Sequence, residues 1–424
     1  MQEQIVNECV ALRRRLHRRP EEGWTEFETT YAVVQALKDT GLAIAFGRDV
    51  VEPSEALGRN ETLVKAALQR AKANGVPEDF LAACQGFTGV VAELDTGREG
   101  PTTALRVDMD CVLVTESEAP GHVPAREGFA SERPGFMHAC GHDSHTALGV
   151  GAALWAATHR DRLKGRIRFI FQPAEEGVRG ARAMVAAGAA DGVDYFLGAH
   201  VGCDTPAGHW RVKSDGFLAS TKFDIDIEGT PAHAGHAPQD GHSALMAACA
   251  AAMMLQGIPR HGEGATRVSV GTLVAGEGRN VIPAHARLQI EVRGETEAVN
   301  AYMRDYVYDI FEGVDKAYRV YSSVTKAGEA TTIAPCPDFY DLLESVARDV
   351  PALKVMPRDT KPAGSEDATL FMRRVVETGG RAGYVLFGCT NNGHHKPDFD
   401  MQDTETMPGA LAFYEAFLLR LNGR

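Results

Sequence analysis

Five short segments of this sequence carry side chains that could bind a metal ion or transfer a proton. They are Asp108-Met109-Asp110, residues 137–143, residues 173–177, Ala199-His200 and residues 393–395. Each segment ends or follows a stretch with strand character. In open α/β sheets the crevice beyond the carboxyl ends of the strands is where ligands bind. We therefore expect these side chains to converge at one edge of a sheet.

The segment 137–143 contains the sharpest metal-binding pattern. Cys140 and His142 lie two residues apart in a glycine-containing loop, so both side chains can turn towards one point. A thiolate and an imidazole suit Zn²⁺ or another transition metal. Alone, this short pattern favours a buried thiol beside structural histidines, and the metal interpretation depends on the next segment.

Glu175 and Glu176 close a strand as adjacent carboxylates. Two such groups facing a protein interior repel each other, and a metal ion would compensate their charge. A solvated pair opening a helix would explain the charges, but not their coincidence with His200 and His395 at two other strand ends. One carboxylate could bind metal while its neighbour acts as general base towards a metal-activated water. This is hydrolytic chemistry without a nucleophilic side chain, and the sequence has no G-x-S-x-G motif of a serine hydrolase.

The composition restricts the class of protein. Of 424 residues, 44 are Lys or Arg and 57 are Asp or Glu, giving a net charge of −13, and 44% are hydrophobic. Such a chain can bury a large core, and its acidity argues against a general nucleic-acid partner. The one dense basic run, residues 13–19, fits the exposed face of an N-terminal helix.

The cysteines and the apolar runs bear on location. The eight cysteines include no C-x-x-C pair, and the N-terminus lacks an apolar signal region. The small-residue run at 247–254 is too short to span a bilayer. We therefore expect reduced thiols, no membrane partner and a cytoplasmic location.

The elements that must position these residues alternate between strand and helix. Strands are predicted at 89–97, 103–110, 165–172, 195–201 and 383–389, and helices before residue 20, at 25–37, 52–74, 145–159 and 179–187, and from residues 337, 365 and 406. This order predicts an α/β fold with a mixed, mostly parallel sheet and helices on both faces.

The pattern changes near Gly216. A β-α-β-β-α-β order follows to about residue 330, which is typical of a ferredoxin-like α+β unit with one open sheet face. We therefore predict a catalytic domain in two parts, residues 1–215 and 331–424, interrupted by a smaller inserted domain at 216–330.

Taken together, the motifs resemble those of the di-metal aminoacylase and carboxypeptidase family. The resemblance is carried by M-H-A-C-G-H-D, Q-P-A-E-E-G, His200, G-R-N-V-I-P at 278–283 and G-S-E-D-A at 364–368, and it covers essentially the whole chain. Within the family, the chain looks like the amidohydrolases that cleave N-acyl-amino acids, including hippurate and auxin conjugates. The resemblance implies two divalent metal ions, Zn²⁺ or Mn²⁺.

The resemblance also implies a role for each matched residue in the catalytic domain. The implied metal ligands, with the thiolate bridging both ions, are Cys140, His142, Glu176, His200 and His395. Glu175 matches the general base. Asp108 matches an Asp that orients a ligand, and Arg106 stands where relatives outside this branch have a metal-binding His. Cys111 and Val112 depart from the Ala and Leu usual after D-M-D.

For the inserted domain, the resemblance implies a lid that also pairs subunits, in a homodimer or in a heteromer with a homologous subunit. His233 matches a lid histidine that reaches the reacting carbonyl, often from the partner subunit. Asn280 and Arg293 match residues that bind the terminal carboxylate of the substrate. By residue type alone they would be a turn Asn and a surface Arg.

The reaction implied is hydrolysis of p-aminobenzoyl-glutamate, a folate breakdown product, to p-aminobenzoate and glutamate. Two alternatives stay open. One is a broader N-acyl-amino-acid hydrolase acting on hippurate-like substrates, and the other is a non-catalytic subunit of a heteromeric hydrolase. The presence of Glu175 and of all five ligand positions argues against the second.

Overall fold

The computed structural model describes residues 3–424, which fall into two compact units. Unit 1 runs up to Asp215 and continues in Ile333–Lys361 and Asp367–Arg424, and unit 2 comprises Gly216–Thr332 with Pro362–Glu366. Unit 2 thus takes in a few residues beyond the expected boundary at 330. That unit 1 is the catalytic domain and unit 2 a lid stays a prediction.

The regular elements are numbered in chain order. The helices are α1 (Glu3–Arg18), α2 (Phe27–Leu37), α3 (Glu61–Ala73), α4 (Glu78–Ala83), α5 (Val123–Glu127), α6 (His142–Thr158), α7 (Ala181–Ala186), α8 (Ala244–Gln256), α9 (Glu297–Tyr318), α10 (Pro337–Arg348), α11 (Ala368–Glu377) and α12 (Asp403–Asn422). The strands are β1 (Ala43–Phe46), β2 (Val90–Asp95), β3 (Thr102–Asp108), β4 (Arg166–Gln172), β5 (Tyr195–Val201), β6 (His209–Val212), β7 (Ala219–Glu228), β8 (Thr266–Ala275), β9 (His285–Gly294), β10 (Tyr321–Ala330), β11 (Lys354–Val355) and β12 (Arg381–Phe387).

Unit 1 is built on an eight-stranded sheet in the order β1-β2-β4-β3-β5-β12-β6-β11. The four central strands, β4, β3, β5 and β12, are parallel to one another, whereas β1, β2 and β6 introduce antiparallel pairs. The expected mixed, mostly parallel sheet is confirmed. Because the central strands run the same way, their carboxyl ends meet at one edge.

Helices cover both faces of this sheet. Successive side chains of a strand point to opposite faces. On β5, Leu197 and Ala199 belong to the core that includes α6 and α12. Phe196 lies on the other face and stacks on Phe371 of α11, with ring centroids 5.7 Å apart. Both faces are therefore shielded from water, which explains why the sequences of the central strands are nearly continuous apolar runs.

The basic run at 13–19 does not simply form an exposed helix face, and that expectation is wrong for Arg13 and His17. Both side chains are fully buried where α1 packs on α6 and α12. The Arg13 guanidinium lies 2.9 Å from both Asp143 and Asp400, and His17 Nδ1 lies 2.7 Å from Asp143 Oδ2. These basic side chains can be buried because Asp143 of α6 and Asp400, just before α12, supply acidic partners.

Unit 2 has a four-stranded antiparallel sheet in the order β10-β7-β9-β8. With α8 and α9 between the strands, this is the expected ferredoxin-like order. The apolar side chains of β7 and β9 alternate with polar ones and pack with α8 and α9 in a separate core. The opposite sheet face is therefore polar.

The largest local difference from the expected elements lies between residues 52 and 74. The helix α3 begins only at Glu61, because the Asn60 side chain accepts the N–H groups of Thr62 and Leu63 and caps it there. The short strands β1, β6 and β11 were not expected. Across residues 3–424, no helix combines the length and the apolar character needed to cross a membrane.

Candidate metal centre

The predicted chemical residues of unit 1 gather at the carboxyl edge of its parallel strands. β3 ends at Asp108, β4 leads into the loop bearing Glu175, and β5 carries His200 as its penultimate residue. The loop after β12 carries His395. Since β4, β3, β5 and β12 are consecutive in the sheet, the four segments lie side by side.

The turn from Cys140 to His142 depends on the glycine between them. Gly141 has φ 92° and precedes the first residue of α6, which is His142. A Cβ at this position would lie 2.5 Å from Cγ2 of Val201, so the backbone conformation and the tight packing both require glycine. This turn brings a ligand atom of Cys140, of His142 and of Glu176 within 4.8 Å of one another.

His142 is the strongest sign that a cation fits here. Its imidazole is fully buried, and neither ring nitrogen has a hydrogen-bond partner among the described residues. Nδ1 lies 3.4 Å from Asp110 Oδ1, and Nε2 lies 3.9 Å from Glu175 Oε2. Buried polar atoms are normally satisfied, and a thiol, an imidazole and a carboxylate form a donor set that suits a divalent transition metal.

The electrostatics of the cluster agree with that fit. Burial lowers the pKa of His142, but the carboxylates of Asp108, Asp110 and Glu176 raise it to about 10. Burial, followed by the charges of the neighbouring carboxylates, raises the pKa of the Cys140 thiol well above its ordinary value. A metal ion would neutralise this negative surrounding and convert the thiol to a thiolate.

Three buried carboxylates hold the loop that carries the glutamate pair. Asp110 accepts the backbone N–H groups of Glu175 and Glu176, each at 3.0 Å. Glu26 accepts that of Ala174 at 2.7 Å, and Asp367 accepts those of Gly180 and Ala181. Ala174 is held in the left-handed region with φ 51°, a strained conformation of the kind that clusters at functional sites.

The remaining predicted ligands contact this cluster from two sides. His200 Nε2 lies 3.4 Å from Cys140 Sγ. His395 Nε2 lies 3.1 Å from Glu176 Oε1 on a half-exposed side chain. His394, which was not predicted as a ligand, joins Cys140 and His200 in a second group whose ligand atoms lie within 4.8 Å. The structure therefore brings all five predicted ligands to one region, and their roles stay a prediction.

Two further residues beside the centre, Asp110 and His145, were given no individual role from the sequence. Asp108, expected to orient a ligand, lies 3.8 Å from His142 and bonds instead to Arg106 and His145. Asp110 is nearer to His142, and the D-M-D spacing was a usable signal for it. The signal for His145 was its place three residues after His142 on one helix face.

In unit 2 the structure brings together two of the three residues expected to meet the substrate. His233 pairs with Val281, and Ala234 N–H donates to Asn280 O. His233 and Asn280 therefore lie in two loop segments that are hydrogen-bonded to each other, called the loop pair below. Arg293 lies eight residues beyond His285, the end of β9 that follows Asn280 in the chain, which is about 26 Å along the strand. Its guanidinium lies 2.9 Å from Glu291. Because of this separation, Arg293 and Asn280 of one copy of unit 2 cannot both bind the same carboxylate.

A family comparison matches most of the chain. The model for peptidase family M20/M25/M40 matches residues 104–420. A chain named as one subunit of the p-aminobenzoyl-glutamate hydrolase of Escherichia coli is 46% identical over 92% of this chain and 91% of its own. The indole-3-acetyl-aspartic acid hydrolase of Enterobacter agglomerans is 47% identical over 94% of this chain and 93% of its own.

Solved structures agree. The aminobenzoyl-glutamate utilization protein of Klebsiella pneumoniae superposes with a TM-score of 0.84 at 40% identity, covering 99% of this chain and 96% of that one. A dinuclear metal-binding peptidase of the M20 family from Bacillus subtilis superposes with a TM-score of 0.66 at 25% identity, covering 99% of each chain. The sequence and fold likenesses therefore extend over both units.

Proposed function

This chain belongs to peptidase family M20/M25/M40, which makes it an amide-bond hydrolase, and on that premise we propose that it cleaves p-aminobenzoyl-glutamate to p-aminobenzoate and glutamate. The observation that carries the proposal is the group formed by Cys140, His142 and Glu176, whose ligand atoms lie within 4.8 Å of one another, with Glu175 beside it. This arrangement supplies metal donors and a second carboxylate at the same place.

We propose that two divalent ions, Zn²⁺ or Mn²⁺, are held by the five predicted ligands, Cys140, His142, Glu176, His200 and His395. The thiolate and imidazole donors favour Zn²⁺, and the carboxylate and imidazoles suit Mn²⁺ too. When bound, such ions polarise an amide carbonyl and lower the pKa of water. The dinuclear relative from Bacillus subtilis supports the count of two.

The chain's own residues account for the proton transfers. Glu175 lies 3.9 Å from His142 Nε2 and is proposed to stay off the metal as general base. It takes a proton from the attacking water and delivers it to the nitrogen of the leaving amine, so the carboxylate is regenerated in each turnover. His233 is proposed to donate to the oxyanion that develops on the carbonyl oxygen.

The proposed substrate joins an aromatic acyl group to an acidic amino acid. Relatives named for p-aminobenzoyl-glutamate and for indole-3-acetyl-aspartate are almost equally similar to this chain, and both names share that chemistry. Hydrolysis of an aromatic acyl-aspartate is therefore the second candidate. Asn280 and Arg293 are proposed to bind the carboxylate, by amide and bidentate hydrogen bonds.

We also propose that the working site is composed of two copies or of two homologous subunits. The separation of Arg293 from Asn280 along β9 favours Arg293 from one copy and the His233–Asn280 loop pair from another. Unit 2 offers apolar surface for such pairing on α8 and on the edge strand β8, where the exposed side chains include Met246, Met253, Met254, Leu273 and Val274. Two relatives are named as one subunit of a hydrolase or as its homolog, which supports a heteromeric form.

A cytoplasmic location is proposed because Cys140 must stay reduced to bind metal.

The experiment compares kcat/KM for four substrates with the protein loaded with Zn²⁺ or Mn²⁺. The substrates are p-aminobenzoyl-glutamate, indole-3-acetyl-aspartate, hippurate and N-acetyl-glutamate, with and without a homologous second subunit. Preference for the first supports the main proposal, and preference for the second supports the alternative. Preference for hippurate or N-acetyl-glutamate would leave only the broader amidohydrolase.

A further inference from the structure

A second buried histidine lies directly behind the predicted metal ligands. His145 is on the first turn of α6 and its side chain is almost completely buried. Its Nδ1 lies 2.6 Å from Asp108 Oδ1, and its Nε2 lies 3.0 Å from the backbone nitrogen of Val201. A backbone N–H can only donate, so Nε2 must be the unprotonated nitrogen. His145 is therefore neutral, donates from Nδ1 to Asp108 and has no lone pair left for a metal.

Val201, whose backbone N–H donates to His145, also contacts two other imidazoles through its carbonyl oxygen, which belongs to the next peptide group. The carbonyl oxygen of Val201 lies 2.7 Å from His200 Nδ1 and 3.0 Å from His394 Nε2. A carbonyl oxygen only accepts, so both of these nitrogens carry hydrogen. The lone pair of a neutral His200 is then on Nε2, the atom that lies 3.4 Å from Cys140 Sγ. One residue's backbone carbonyl thus selects the tautomer in which His200 can bind metal.

Asp108 in turn is held by a chain of buried charges. Its Oδ2 accepts from Arg106 Nη1 at 2.8 Å, and Arg106 Nη2 donates to Asp367 Oδ1 at 3.2 Å. These three side chains are completely buried. A buried network in which each member is satisfied is rigid, so Asp108 offers His145 a fixed acceptor and His145 offers Val201 a fixed one.

We propose that His145 is a positioning residue of the metal centre, which fixes the orientation and tautomer of His200 through the backbone of Val201. His145 does not touch the ions or the substrate. Its effect is to present a preformed donor to the metal, as hydrogen-bonded partners behind metal ligands do in general. The inference rests on the proposed metal centre and adds to it a residue outside the five predicted ligands: the ring nitrogens of His145 lie near those of His142 and His200, but both are taken up by Asp108 and Val201.

Two amide substitutions separate the contacts of His145. In His145→Asn the amide occupies the place of Nδ1, so it keeps the bond to Asp108 but leaves the Val201 N–H without its acceptor. In His145→Gln the longer amide reaches the place of Nε2, so it accepts from Val201 but loses Asp108. The matched control is His159→Asn at the other end of α6, where the imidazole bonds to Trp155 O at 2.9 Å and to Thr158 Oγ1 at 3.1 Å and stacks on the Trp155 ring.

The measurement is the affinity of the full-length protein for Zn²⁺ by chelator competition, together with the Cys140 thiolate-to-cobalt absorption band after Co²⁺ loading. We expect His145→Asn to weaken Zn²⁺ binding about 10- to 100-fold and to alter the cobalt band. His145→Gln should stay much closer to the wild type, and His159→Asn should equal it. Thermal unfolding of the metal-free proteins identifies any variant that fails to fold.

Equal loss in the Asn and Gln variants would overturn the proposal, because the Val201 contact would then have no special part. Wild-type affinity and spectrum in His145→Asn would overturn it as well. The proposed function fails differently: wild-type protein that binds Co²⁺ but hydrolyses none of the four substrates refutes that function, while the comparison of the His145 variants retains its meaning.

Discussion

The metal-binding residues predicted in unit 1 and the substrate-binding residues predicted in unit 2 differ in how completely one chain assembles them. In unit 1, Cys140 and His142 of one segment and Glu176 of another converge within 4.8 Å. In unit 2, His233 and Asn280 share a loop pair, whereas Arg293 lies far along β9 and is paired with Glu291.

Burial is the physical reason for this difference. Polar groups buried at the edge of a parallel sheet must be satisfied by fixed partners, as Asp110 satisfies the N–H groups of Glu175 and Glu176. His233 is exposed and Arg293 is partly exposed, and water can satisfy them wherever they lie. A buried site can therefore be complete in one chain, whereas exposed residues become a site only when a substrate or a second copy brings them together.

The largest expected effect tests the division of labour in unit 1. Glu175→Gln keeps the shape of the side chain but removes the base, and turnover should fall about 10²- to 10⁴-fold while metal content stays at the wild-type level. The measurements are kcat on the preferred substrate and metal content by mass spectrometry. Near-normal turnover would remove Glu175 from the role of base.

The matched control for this variant is its neighbour. Glu176→Gln alters a proposed ligand whose carboxylate lies 3.1 Å from His395 Nε2, so it should lose metal as well as activity. If both variants lost metal equally, the two glutamates would share one role, and the loop geometry would not distinguish them.

The next largest effect concerns His233, the proposed oxyanion donor of unit 2. His233→Ala should lower kcat about 10²- to 10³-fold with a much smaller change in KM, because an oxyanion donor acts mainly in the transition state. His236→Ala is the control, since His236 lies in the same loop and has no proposed role. An effect confined to KM would make His233 a ground-state binder.

Mixing variants tests whether unit 2 is completed by a second copy. If Arg293 and His233 of one site come from different copies, a refolded mixture of His233→Ala and Arg293→Ala proteins should regain about a quarter of wild-type activity, since half of the dimers contain one intact site. No recovery in dimers shown to exchange would place both residues in the same copy.

Arg293 alone should have a smaller effect. Arg293→Ala should lower kcat/KM for every acyl-glutamate about 10- to 100-fold, the usual range for a lost hydrogen bond to a charged group. Arg287→Ala, on the same strand and the same polar sheet face, should leave it unchanged. A substrate amide lacking the free carboxylate should be insensitive to both changes, and sensitivity there would contradict carboxylate binding.

The sequence was sufficient to predict much of unit 1 because its signals are local. Apolar strand runs identified β3, β4, β5 and β12, and parallel strand ends meet at one edge, so His200 and the glutamate pair could be expected together. The β-α-β-β-α-β order of unit 2 could likewise be predicted from local hydrophobic patterns. Short strands such as β11, with two residues, carry too little periodicity to be seen.

Partnerships over long sequence distances were not predictable. Arg13 looked like part of an exposed basic face, yet its counter-ion Asp400 is 387 positions away. Asp110 and His145 each accept from a backbone N–H, a group that every residue except proline possesses. A sequence pattern can therefore mark these two side chains without identifying their backbone partners. Around the centre, the contacts that the sequence could not predict are therefore those made to the backbone.

The smallest effect on activity is expected at Glu21. A change at this residue tests instead how burial of a carboxyl group affects stability. This side chain is fully buried in unit 1 and accepts from Thr29 N–H and Oγ1 at 2.9 and 3.0 Å. Burial, with a smaller contribution from Glu28, raises its pKa to about 7. Because the pKa is higher in the folded than in the unfolded protein, the stabilising contribution is complete below about pH 4.5 and is lost as the pH rises to about 7, amounting to roughly 3 kcal/mol.

Glu21→Gln should flatten the dependence of the free energy of unfolding on pH over that window, measured by urea denaturation, and leave kcat unchanged. The exposed Glu78→Gln, whose side chain is 74% accessible, should retain the wild-type slope. An unaltered slope in Glu21→Gln would mean that Glu21 ionises in the folded protein as readily as in the unfolded one.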